Sequence, residues 1–150
     1  MVRRLRAVVL VLAVLALASP LAAWGEPHFT VRDVDGPTAF AFDGFVTVVV
    51  GGTPTAVPAA STGRFVADGR GMLNDGVRTL VVGGQALHQT FRCSYVVNAD
   101  GTGSADCDVS TGTVITKEAF DFVIVERKKS AFFTSTTAGV TIRGATKRQN

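Results

Sequence analysis

Apolar residues in this chain alternate with polar ones at a period of two, and glycine-bearing turns break the alternation about every 8–15 residues. No stretch after the first 25 residues carries apolar positions at helical spacing, so the pattern restricts the chain to short strands. Thr38 to Val50 is the first long run, with Phe40, Phe42, Val46 and Val48 on one face. Ala56 to Ala67 follows, and its Pro58 and Gly63 predict an edge or a bulged strand. Asp68-Gly69-Arg70-Gly71 turns the chain into Met72 to Val82, and Gly83-Gly84 turns it again into Gln85 to Asn98. Ser104 to Ser110, Ala119 to Val125, Ala131 to Thr136 and Val140 to Gly144 complete about eight strands. Short links favour antiparallel neighbours over crossovers. The fold class predicted is all-β, a single antiparallel barrel of about eight strands preceded by a signal-peptide helix.

One hairpin can be read residue by residue. Phe65 to Gly71 and Val97 to Gly103 are alike, each an apolar strand entering an Asp-Gly-X-Gly turn. Asp and Gly tolerate the left-handed backbone such turns need. Asp33, Asp35, Asp68 and Asp100 lie near glycines, but no turn gathers the six to eight oxygens that calcium requires. Pairing Val97 with Gly103 sets Cys93 opposite Cys107 and Tyr95 opposite Ala105. On the other face Arg92 then meets Asp108, and Ser94 meets Asp106. A slip of one residue would undo both the cysteine pair and the charge pair. A Cys93–Cys107 disulfide is therefore expected, on the face of Phe91 and Tyr95 and turned inward.

The chain begins with a secretory leader pattern over residues 1–25. Arg3, Arg4 and Arg6 form its charged start, Ala7 to Ala18 its apolar run, and Leu21-Ala22-Ala23-Trp24-Gly25 its small-residue end. Cleavage after Ala23 and cleavage after Gly25 fit equally well. The apolar run falls short of the roughly 20 residues of a membrane-spanning helix, and no cysteine lies near the cleavage region to carry a lipid. No stable membrane anchor is expected once the leader is removed. The domain that remains is residues 26–150, exported to the periplasm or beyond, where a disulfide persists.

Removing the leader also changes the meaning of the charge. Three of the 15 basic residues lie within it, which leaves twelve against 12 acidic ones. A neutral domain with no interleaving of basic and aromatic residues is not expected to bind nucleic acid. Arg127-Lys128-Lys129 and Lys147-Arg148 read as a solvated hairpin tip and a frayed tail.

Catalytic chemistry finds little footing. His28 and His88 are the only histidines, there is no Gly-X-Ser-X-Gly elbow, and no histidine or cysteine spacing suits zinc. Asp106 and Asp108 share an outward face, while Glu118 and Asp121 flank Phe120, and all four read as solvated strand residues. No catalytic residue, metal or cofactor is expected. Phenylalanine is abundant, ten against one tyrosine and one tryptophan. Phe40, Phe42, Phe65, Phe91, Tyr95, Phe120 and Phe122, with Phe132 or Phe133, are the residues predicted to line the interior. A barrel of this size is either filled by such side chains or holds one small ligand.

Phe120 to Val125 with its charged tip, Gly139 to Gly144 with a basic C-terminus, and Tyr95 to Gly103 together resemble a group of small exported bacterial proteins. That group is similar to the allene oxide cyclase, dirigent and lipocalin-like barrels, and the resemblance covers roughly Thr38 to Arg148. It implies an antiparallel barrel. Its members typically carry a cysteine just after the aspartate of the tight turn, where this chain has Gly101. No catalytic residue is carried over. The leading expectation is a non-enzymatic binding or envelope-associated module. The alternative is a carrier of, or a cyclase-like enzyme acting on, a small apolar ligand in the interior. A third reading is an interaction subunit that pairs through an edge strand near Pro58. The sequence specifies no protein partner.

Overall fold

The computed structural model describes residues 28–150, and the expected leader lies outside them. Eight strands follow in order: β1 (Asp35–Val50), β2 (Thr53–Asp68), β3 (Met72–Val82), β4 (Gln85–Val97), β5 (Thr102–Thr111), β6 (Val114–Val125), β7 (Ser130–Ser135) and β8 (Val140–Arg148). Each pairs antiparallel with the next, and β8 pairs back onto β1, closing the barrel. The expected antiparallel barrel of about eight strands is the observed one. Gly51-Gly52 and Gly83-Gly84 take φ between 54° and 85°, the left-handed geometry of two-residue turns whose twist matches the flanking strands.

The register expected for the β4–β5 hairpin is also observed. Cys93 pairs with Cys107, Tyr95 with Ala105, Arg92 with Asp108, and Ser94 with Asp106. The two cysteines are joined and are 2% and 5% exposed. They belong to the apolar core together with Phe65, Leu73, Tyr95 and Val109.

Four expectations about the strands need correction. β2 is not an edge: β1 flanks it along its whole length and β3 flanks it from Ala59. The bulge lies on β3 instead, where Asn74 and Asp75 oppose a single residue of β4 and Asp75 takes φ 51°. The strand expected from Ala119 starts at Val114, because Gly112-Thr113 already turns the chain. The basic tail is not frayed. β8 runs to Arg148, whose backbone N–H donates to Lys129 O and whose guanidinium donates to Asp35 Oδ1 at 2.6 Å.

Glycines make room for the aromatic interior. Gly63 sits opposite Phe40, Gly76 opposite Phe91, Gly103 opposite Phe122, and Gly144 opposite Phe133. A Cβ at any of these glycines would overlap the ring it faces. Each ring thus lies flat over a strand that carries no side chain there, so a narrow barrel can hold so many phenylalanines.

The two ends of the barrel differ. At one end the chain before β1 folds across the opening, with a 3-10 turn at Val31–Asp33. Phe29 N–H donates to Ala99 O, and the phenol of Tyr95 reaches up to donate to Val34 O at 2.7 Å. Lys128 Nζ bonds Asp33 Oδ1 at 2.7 Å and lies over the ring of Phe29. The hairpin tip read as merely solvated therefore helps to hold this cap in place. No such cap covers the other end among the described residues, where the β1–β2, β3–β4, β5–β6 and β7–β8 hairpins turn.

Candidate functional site: the barrel interior

The expected interior residues do converge. Phe42, Phe65 and Tyr95 are buried, and Phe40, Phe91, Phe120 and Phe122 are half-buried around them. Phe40 is the hub, with ring centroids 5.7 Å from Phe91, 6.1 Å from Phe65, 6.3 Å from Phe42 and 6.4 Å from Phe133. Most of these contacts are edge-to-face or tilted, the arrangement that ring quadrupoles favour. Phe133, not Phe132, supplies the β7 ring, and Phe132 faces out at 58% exposure.

The rings do not fill the barrel. They line a partly open cavity of about 110 Å³, walled by all seven expected interior residues, by Leu73, Ala105, Val109 and the disulfide, and by Arg78 and Glu118. Close-packed interiors contain few voids larger than a water. A void of this size with an apolar wall is the kind that stays dry and accepts a small apolar guest.

A polar layer lies beside the rings, toward the uncapped end, and the reading of Glu118 as a solvated strand residue is wrong. Glu118 points inward from β6 and receives both terminal nitrogens of Arg78 from β3, at 2.5 and 2.8 Å. Arg78 Nε donates to Gln89 Oε1 at 2.7 Å, and Gln89 Nε2 donates to Thr111 Oγ1 at 2.6 Å. Four strands are thereby tied across the interior. The guanidinium also lies 5.8 Å from the centroid of Phe42, so it caps the aromatic cluster. Every buried side-chain nitrogen and oxygen among the described residues has a hydrogen-bond partner. The pair is therefore closed on itself, with the fork-to-fork geometry that makes burial of an arginine tolerable. In the sequence Glu118 keeps the same parity as Phe120 and Phe122, which was the available signal.

The other titratable groups serve the scaffold. Asp68 Oδ1 accepts the N–H groups of Arg70 and Met72, and Asp100 Oδ1 accepts the N–H and the hydroxyl of Thr102. These bonds hold both carboxyls below the usual carboxylate range. Burial pushes the Tyr95 phenol up, which keeps it a neutral donor to the cap. His88 is exposed on β4 with Nδ1 3.2 Å from Thr79 Oγ1, and Asp106 and Asp108 face outward, the latter beside Lys117. Among the described residues no three His, Cys, Asp or Glu side chains gather where they could hold a metal ion.

The interior thus sets a small apolar cavity between aromatic rings and a neutralised ion pair. No family model, no curated protein and no solved structure matches this chain.

Proposed function

We propose that this chain is an exported binding module that holds a small apolar group inside its barrel without transforming it. The cavity of about 110 Å³ among the phenylalanine rings carries this reading. A void of roughly 150 Å³ with similar walls takes benzene, whereas sites for drug-sized ligands run to about 300–1,000 Å³. The guest is then a single ring, or the branched end of an alkyl chain. Export is supported by the leader pattern together with the Cys93–Cys107 disulfide. The resemblance to exported barrels of the lipocalin-like kind fits a carrier and adds nothing about catalysis.

The rival reading, a cyclase-like enzyme, rests on the Arg78–Glu118 pair at the cavity wall. Each partner is engaged by the other, so neither is free to move a proton unless the pair opens. A titration of benzene followed by methyl NMR separates the readings. Saturable one-to-one shifts at Leu73 and Val109, with no response to naphthalene, support the binding module. Absence of any saturable shift would refute it, and chemical turnover of an apolar substrate that ceases in Glu118→Gln would replace it with the enzyme.

A further inference from the structure

Among the described residues, the hairpins that turn at the uncapped end carry no Asp, Glu, Lys or Arg. The uncharged segments are Gly44 to Gly63, Thr79 to Phe91, Val109 to Thr116 and Ser130 to Ile142. Arg32, Asp33, Asp68, Asp100, Lys128 and Arg148 all gather at the capped end. At the uncapped end the hairpins present Val49 (72% exposed), Val50 (60%), Val114 (60%) and Ile115 (66%), with Leu87 and Val81 behind them. Apolar side chains grouped at one pole of a protein mark a contact with something apolar.

The β1–β2 hairpin reaches farthest. β1 pairs with β8 only as far as Val46 and β2 pairs with β3 only from Ala59, so Thr47 to Val57 form a free two-stranded ribbon. Its tip stands about 13 Å along the strand beyond the last β8 partner. Pairing with a second copy through the ribbon's flanks is blocked. Ladder alternation turns Pro54, Ala56 and Pro58 toward the free flank of β2, where neither proline has an N–H to give. On the β1 flank Thr47 N–H is already bonded to Gly139 O at 2.7 Å. One donor per flank is left, at Val49 and at Ala56. That is too few for strand addition and few enough to enter a lipid interface.

We infer that this end docks reversibly on a lipid bilayer, its valine and isoleucine tips entering the headgroup region. Spanning is excluded, because Arg64, Arg92, Asp121 and Arg143 face outward at the waist, where a membrane barrel carries an unbroken apolar band. The four hairpins hold no Lys or Arg, and Lys117 behind Ile115 is paired with Asp108, so little attraction to anionic lipid is left and the surface suits uncharged, zwitterionic headgroups.

Co-sedimentation of the exported protein with phosphatidylcholine vesicles tests this. Binding is expected that is unchanged by one-third phosphatidylglycerol or by high salt. Val49→Asp with Val50→Asp, and separately Val114→Asp with Ile115→Asp, should each weaken partitioning about tenfold while leaving the melting temperature in place. These exposed positions keep the fold intact, so a loss cannot be ascribed to unfolding. No sedimentation, dependence on anionic lipid, or binding that survives both variants would overturn the inference. So would a concentration-dependent dimer that both variants dissolve without any vesicle binding. None of these outcomes bears on whether the interior takes a guest.

Discussion

Phe122→Ala beside Asp121→Ala tests the period-two alternation from which the barrel is built. Phe122 points inward from β6 over Gly103 and walls the cavity, whereas Asp121 faces out. Truncating the ring removes roughly 100 Å³ of side chain, and at about 24 cal/mol per Å³ the cavity contribution alone is about 2.4 kcal/mol. Lost transfer free energy adds to this. The ring is only half-buried, because the missing side chain at Gly103 leaves its edge open to the outside, so the addition is small. A total of about 3 kcal/mol is expected, the lower end of the range for a core Phe→Ala. Asp121→Ala should cost less than about 0.5 kcal/mol. Urea melts of both variants read the difference directly, since the midpoint moves while the slope stays constant. Equal losses at the two positions would refute the alternation and with it the inward placement of the β6 face. A loss below about 1 kcal/mol at Phe122 would show that the ring contributes little to the packing.

Removing the Cys93–Cys107 bond by a double Cys→Ser change should cost about 3 kcal/mol for its separation of 14 residues, and peptide mapping without reductant should recover the two cysteines linked. Two alkylatable thiols in the unreduced protein would contradict the bond. Glu118→Gln should destabilise by about 1–3 kcal/mol, more than Arg78→Met with Glu118→Leu together, because the single change strands the guanidinium. A double variant worse than the single one would show the pair to be net stabilising. Acid should loosen the capped end. Burial opposes it, yet Lys128 and the Thr30 N–H together hold Asp33 below the usual carboxylate range, and Asp68 and Asp100 are depressed as well. A depressed carboxyl contributes its full stability above the unfolded value and loses it as pH falls through the folded one. Amide exchange around Val31 and Gly101 should therefore accelerate below about pH 4, and protection that holds at pH 2 would contradict this.

The barrel was legible because strands half-buried in a closed sheet must alternate, and because pairing one cysteine with another fixed a whole hairpin. Glycine misled at Gly63, which reads as a bulge but clears space for the Phe40 ring. Arg78 was hidden by the true bulge. Counting by twos from the inward Leu73 turns Arg78 outward, and the extra residue at Asn74-Asp75 restores it to the inside. Glu118 was readable by parity, but a lone carboxylate is taken for a surface residue until its partner from β3 is known. The cavity depends on ring rotamers and barrel radius, neither of which alternation determines. The uncharged hairpins, by contrast, lie open in the sequence and acquire meaning only once the topology gathers them at one end.

Crystals pressurised with xenon test the binding module most directly, since xenon enters a dry apolar cavity and needs no knowledge of the natural guest. One xenon peak is expected among Phe40, Phe65, Phe91, Val109 and Phe120, inside the ring cluster and beside the Arg78–Glu118 pair. An interior without xenon, its rings closed over the void, would contradict a guest-binding barrel and leave a filled scaffold in its place.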